Sequence, residues 1–161
     1  MPNQSKGAKT MKETKREIMN SMRLELDAVS SNESFARTAV AAFAGQLDPT
    51  VDQINDLKTA ISEAVTNCVV HSSTKSVLIE AKLWRESKKQ GISVTVTDFG
   101  IGIANIDKAL EPFYTTKPDQ ERSGMGFTVM QSFMDSLAVC NGVDCGTVVE
   151  MTKVFGTNRG A

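Results

Sequence analysis

Apolar residues along this chain recur with two periods, and the switching between them predicts a domain of interspersed strands and helices. Met22-Arg-Leu-Glu-Leu-Asp-Ala alternates apolar and polar side chains, the mark of a half-buried strand. Ser30-Ser-Asn-Glu-Ser then supplies capping residues, and Phe35, Ala39, Val40 and Phe43 follow at helical spacing until Gly45. Asp48-Pro-Thr forms a turn into a long helix over about residues 51–71. Its apolar stripe is Ile54, Leu57, Ile61, Ala64, Val65, Cys68 and Val69. Val77 to Trp84 and Ile92 to Asp98 read as strands. The short charged stretch between them makes them an antiparallel hairpin.

Ile106 to Leu110 predicts a short helix, and residues 112–124, polar and with two prolines, form a loop long enough to suggest function. Met125 to Leu137 predicts a helix with Phe127, Val129, Met130, Phe133 and Met134 inward, before two strands near 138–141 and 146–154. The short strand connections imply a mixed, mostly antiparallel sheet. The expected fold is an α/β two-layer sandwich with helices on one face. Residues 1–20 are polar and Lys-rich, so we expect a disordered leader there, one domain over 21–155 and a flexible tail over 156–161.

Composition narrows the function classes. The 161 residues suit one domain, and 18 basic against 19 acidic side chains give no general attraction for nucleic acid. No apolar run is long enough to span a bilayer, and no N-terminal stretch has a signal-peptide layout. The three cysteines, Cys68, Cys140 and Cys145, are expected as reduced thiols in a cytoplasmic protein. A single histidine, His71, and no Cys-x-x-Cys speak against structural zinc.

Three constellations carry chemistry. Glu63 and Asn67 lie four apart and share a helix face. The pair also fits a solvated face. Otherwise an Asn oxygen can ligate Mg²⁺, with phosphates and waters completing the shell, and the Glu can take a proton near a terminal phosphate. Asp98 ends a strand ahead of Gly100 and Gly102. Its carboxylate can accept from an exocyclic amine such as adenine N6, although many ordinary turns share this spacing. Gly124-Met125-Gly126 opens a helix, where free N–H groups converge on an anion. Thr115, Thr116, Lys117, Arg122 and Ser123 lie in the preceding loop and can reach phosphates, or be merely solvated. Gly146-Thr147 enters the last strand.

Each signal alone is weak to moderate, but their order on the expected elements is specific. The pattern resembles the Bergerat (GHKL) ATPase superfamily, which includes gyrase, Hsp90, mismatch-repair ATPases and histidine-kinase catalytic domains. Within it, Asn32-Glu-Ser-Phe-Ala-Arg37, Ser62-Glu-Ala-Val-Thr-Asn67, Pro112-Phe-Tyr-Thr-Thr-Lys-Pro118, Glu121-Arg-Ser-Gly-Met-Gly-Phe127 and Phe133-Met-Asp135 resemble the bacterial anti-sigma serine kinases of the sigma F type.

The resemblance, over about Met22 to Lys153, implies an ATP·Mg²⁺ site. Glu63 would be the catalytic base and Asn67 the Mg²⁺ ligand. Asp98 would read adenine beside Gly100, Gly102 and Thr147. Thr115, Thr116, Lys117, Arg122, Ser123, Gly124, Met125, Gly126 and Phe127 would form or adjoin the lid over the phosphates. It also implies a homodimer that holds a sigma factor when ATP is bound and phosphorylates a serine of an anti-anti-sigma protein, with Glu33 and Arg37 on the partner-binding surface. The first strand and helix would lie at the dimer interface. No direct nucleic-acid or membrane partner is implied. An anti-sigma B type stress kinase and a nucleotide-gated binder without kinase activity remain alternatives. A histidine-kinase catalytic domain fits less well, because no helical dimerisation pair is present. Three departures from the family stand out: Cys68 after the Asn, Phe99 after Asp98, and a shorter stretch after His71.

Overall fold

The structure, a computed structural model, describes residues 15–111, 126–142, 144 and 146–157. Five strands form one sheet in the order β1-β2-β3-β5-β4. They are β1 (Glu17–Asp27), β2 (Ser76–Glu86), β3 (Lys89–Asp98), β4 (Ser136–Asn141) and β5 (Thr147–Thr157). All four pairings among the described residues are antiparallel. The helices are α1 (Ser31–Ala44), α2 (Val51–His71), α3 (Ile106–Ala109) and α4 (Gly126–Phe133).

The longest helix begins where the sequence sets a reciprocal cap. Thr50 Oγ1 accepts from Gln53 N at 3.2 Å, and Gln53 Oε1 accepts from Thr50 N at 2.9 Å. Two orphan donors of the first turn are thereby satisfied. Leu57, Ala60, Ile61, Ala64, Val65 and Cys68 of α2 are buried. They pack in one core with Val77, Ile79, Ala81 and Leu83 of β2, Ile92, Val94 and Val96 of β3, and Val149 and Met151 of β5. Every second residue of each strand points into this layer, so the alternation read from the sequence sets which face the helices cover. Ala36 and Val40 of α1 and Met130 of α4 complete it.

Three boundaries differ from the expectation. β1 starts at Glu17, inside the stretch expected as leader, and pairs with β2 from Glu17 opposite Arg85. Backbone pairing holds this end rather than a hydrophobic alternation, and the register shifts between Ile18 and Asn20. Arg16 adds a contact: its guanidinium lies 3.8 Å from the Trp84 ring centroid and 3.5 Å from Glu86 Oε2. At the other end, β5 runs through Gly156 and Thr157, residues expected in the tail. Helix α4 ends at Phe133 because the next residues join the sheet. Asp135 N donates to Thr152 O at 2.8 Å, and Val154 N donates to Asp135 Oδ2 at 2.7 Å. Phe133, expected inward, is 37% exposed, while Met130 and Met134 fill the core below it.

Candidate functional site

The second half of α2 carries one end of the site. Glu63 and Asn67 are both half-buried on it. Gly126, the first residue of α4, is packed against the pair. A Cβ there would stand 3.2 Å from both Oδ1 and Nδ2 of Asn67 and 3.4 Å from Glu63 Oε2. A side chain at 126 would crowd both groups, so the glycine is what lets the start of α4 close over them. The structure thus brings together three residues that lie 63 positions apart at the extremes.

Asp98 forms the other end. It is 3% exposed at the end of β3. Its Oδ1 accepts from Gly100 N at 3.0 Å and Thr147 N at 3.2 Å, and its carbonyl accepts from Gly146 N at 2.9 Å. Two backbone donors thereby fix the orientation of a buried carboxylate, and a third anchors the main chain beneath it. A Cβ on Gly146 would collide with the Asp98 carboxylate, so glycine is required at that position.

The glycines after Asp98 serve a purpose the sequence did not reveal. The space beside Gly100 is filled by the carbonyl of Ser72, the residue that ends α2. Ile101 N donates to that same carbonyl at 3.0 Å, and Phe99 N donates to Thr74 Oγ1 at 3.0 Å. The short stretch after His71 therefore straps the Asp98–Ile101 loop to the end of α2. Gly102 has φ +75°, and its Cβ position lies 2.9 Å from Asn141 Oδ1. Side chains rarely adopt that backbone conformation.

From Glu63 to Ser72 the helix rises ~13 Å at 1.5 Å per residue. Cys68 lies between the two ends, 4% exposed. Burial, and secondarily the Asp98 charge, push its thiol well above the usual range, so it stays protonated.

Glu33 and Arg37 sit on α1 beside the first end. Arg37 Nη1 lies 2.6 Å from Glu33 Oε1 and 3.4 Å from Ser62 Oγ, next to Glu63 in sequence. The ion pair is partly exposed, so its net stabilisation is small. Thr147 is 7% exposed next to Asp98. Phe127 packs against the core. Thr115, Thr116, Lys117, Arg122, Ser123, Gly124 and Met125 lie outside the described residues. Sequence reasoning missed Ser72, Thr74 and Asn141. Each acts through contacts distant in sequence, and a polar residue near a turn carries no signal of them.

No three His, Cys, Asp or Glu side chains cluster as metal ligands among the described residues. Beside Gly126 stand the amide of Asn67 and the carboxylate of Glu63.

Comparison with known proteins places these features in a family. Residues 27–153 match the family model described as a histidine kinase-like ATPase domain. The chain is 53% identical over 142 residues to the anti-sigma F factor of Clostridium perfringens (strain ATCC 13124), covering 86% of this chain and 99% of that one. It is 50% identical over 144 residues to the anti-sigma F factor of Thermoanaerobacter sp. (strain X514), covering 89% and 99%. Among solved structures it is similar to the RsbU and RsbW domains of Rv1364c from Mycobacterium tuberculosis. The TM-score is 0.55 at 15% identity, over 88% of this chain and 34% of that one, a likeness of fold. The two-layer fold agrees with these matches: the chain belongs to the histidine kinase-like ATPase domains, and within them to the anti-sigma F factors.

Proposed function

We propose that this chain is an ATP-dependent protein serine kinase that acts as an anti-sigma factor. In the ATP-bound state it holds a sporulation sigma factor of the F type, and it transfers the γ-phosphoryl group to a serine of its anti-anti-sigma antagonist. The observation that carries this reading is the meeting of Glu63 and Asn67 with Gly126 at the opening of α4. A carboxylate and an amide oxygen converge there on a helix start, where a terminal phosphate would be received.

The nucleotide would lie along α2, with its adenine at Asp98 and its phosphates toward Asn67. Asp98 Oδ1 is already committed to two backbone donors, and its second oxygen is the acceptor for the adenine amine. Asn67 would hold Mg²⁺, which when bound neutralises charge on the phosphates. Glu63 would accept the proton of the substrate serine as its Oγ attacks the γ-phosphorus. The bond to the bridging oxygen breaks and ADP leaves. Lys117, Arg122 and the Gly124–Gly126 amides would stabilise charge on the transferred group.

The chain would act as a cytoplasmic homodimer. Among the described residues β1 lies at the edge of the sheet and pairs with β2 alone, and α1 lies next to it in sequence. Glu33 and Arg37 would face the sigma factor and the antagonist. Among the described residues no helix is long and apolar enough to cross a membrane. The proposed division is a leader over 1–20, a domain over 21–155 and a tail over 156–161; β1 begins at Glu17 and β5 ends at Thr157.

Incubating the chain with γ-labelled ATP, Mg²⁺ and an anti-anti-sigma protein tests the reaction. Acid-stable phosphoserine on the antagonist is expected. An acid-labile phosphohistidine would point instead to histidine-kinase chemistry, and no transfer would leave a nucleotide-gated binder.

A further inference from the structure

Asn141, the last residue of β4, makes two hydrogen bonds to a single residue 38 positions away. Its Oδ1 accepts from Ile103 N at 2.9 Å, and its Nδ2 donates to Ile103 O at 2.8 Å. One side-chain amide thus takes the place of a neighbouring strand, satisfying both polar groups of one backbone residue. Only a carboxamide can do this, because it carries an acceptor and a donor side by side. A carboxylate lacks the donor and a hydroxyl lacks the reach.

The clamp is placed where it controls the base end of the site. Ile103 follows Gly102, whose left-handed φ of +75° turns the chain beneath Asn141 Oδ1. On the near side, the same loop is tied to Ser72 and Thr74 by the amides of Ile101 and Phe99. On the far side, Gly142 N donates to Gly146 O at 3.3 Å, and Gly146 in turn packs on Asp98. The loop from Asp98 to Ile103 is therefore held at both ends, by the end of α2 and by Asn141. Asn141 itself is exposed, so the core does not depend on it.

We propose that Asn141 is a positioning residue for the nucleoside half of the ligand: by clamping Ile103 it presets the Gly100–Gly102 backbone that forms the wall beside Asp98. This rests on the reading of the pocket as an adenine nucleotide site. Without the clamp the loop must be ordered by the ligand, which costs affinity. The wall lies at the opposite end of the site from Glu63 and Asn67, so the cost falls equally on ATP and ADP and not on the transfer step.

The test compares the full chain with Asn141→Asp and Asn141→Ser. In Asn141→Asp the acceptor for Ile103 N survives, but a carboxylate oxygen faces the Ile103 carbonyl. Calorimetric titration with ATP and with ADP is expected to give a Kd raised about tenfold for both nucleotides in both variants. The KM for ATP should rise in parallel while kcat at saturating ATP moves less than twofold. Amide exchange at Ile103 should quicken in the variants, and added ADP should slow it again. Kd values within twofold of wild type in both variants, or a fall in kcat at unchanged KM, would overturn the assignment. If wild type and variants all bind ATP equally well, only the role of Asn141 fails. If wild type binds neither nucleotide, the reading of the pocket fails with it.

Discussion

Replacing Glu63 by Ala is expected to lower phosphoryl transfer by about a thousandfold, the usual worth of a positioned general base, while ATP affinity changes only a few-fold. In the proposed pocket Glu63 would stand beside the terminal phosphate: its Oε2 lies 3.4 Å from where a Cβ on Gly126 would be, one helical turn before Asn67. It carries negative charge toward an anionic ligand, so its removal takes away no attraction for ATP. On the proposed reading the loss is of the acceptor for the serine proton, a contribution made in the transition state and not in the ground state. Glu63→Gln keeps the shape and removes the charge, and it should show the same loss. Single-turnover transfer with saturating labelled ATP, alongside an independent ATP titration, reads both quantities. Wild-type transfer in either variant would remove Glu63 from the base role.

At the other end of α2, Asp98→Asn should weaken ATP binding about a hundredfold, the scale of one charge-assisted hydrogen bond turned into a donor–donor clash. The substitution is nearly isosteric. An Asn oxygen can go on accepting from Gly100 N and Thr147 N, now at 3.0 and 3.2 Å, so the loop keeps its anchors. The NH₂ group must then point where the second carboxylate oxygen pointed, toward the adenine amine of the proposed pose. Flipping the amide would rescue the adenine contact only by facing two backbone donors with a third. A thermal midpoint near that of wild type, with a Kd for ATP raised about a hundredfold, is the expected pair of results. Unchanged affinity would place the adenine elsewhere.

The elements whose side chains announce their own environment were legible in the sequence. The α2 stripe and the Asp48-Pro-Thr turn ahead of it set that helix at Val51–His71, matching the expected span, and the Thr50–Gln53 cap at its start came from the structure. The alternation of Val77 to Leu83 and Ile92 to Val96 set the sheet face. The Glu63–Asn67 pair was readable because a four-residue spacing already fixes a common face, and Asp98 because it ends an alternating strand. What escaped was held by backbone or by distant partners. The first turns of β1 have no alternation, yet pair along β2 and are covered by the Arg16–Trp84 contact. The end of α4 is set by Asp135 bonding to β5, not by a stop signal. Side chains at Gly100 and Gly102 would meet Ser72 and Asn141, contacts that spacing along the chain cannot announce.

The reading that joins these parts is a pocket whose nucleotide governs the hold on a sigma factor, and one binding measurement tests it most directly. The full chain is immobilised with Mg²⁺ and either ATP or ADP, then offered a sporulation sigma factor of the F type together with its unphosphorylated anti-anti-sigma protein. The sigma factor should be retained with ATP, and the anti-anti-sigma protein should take its place with ADP. No retention of the sigma factor under either nucleotide would contradict the account.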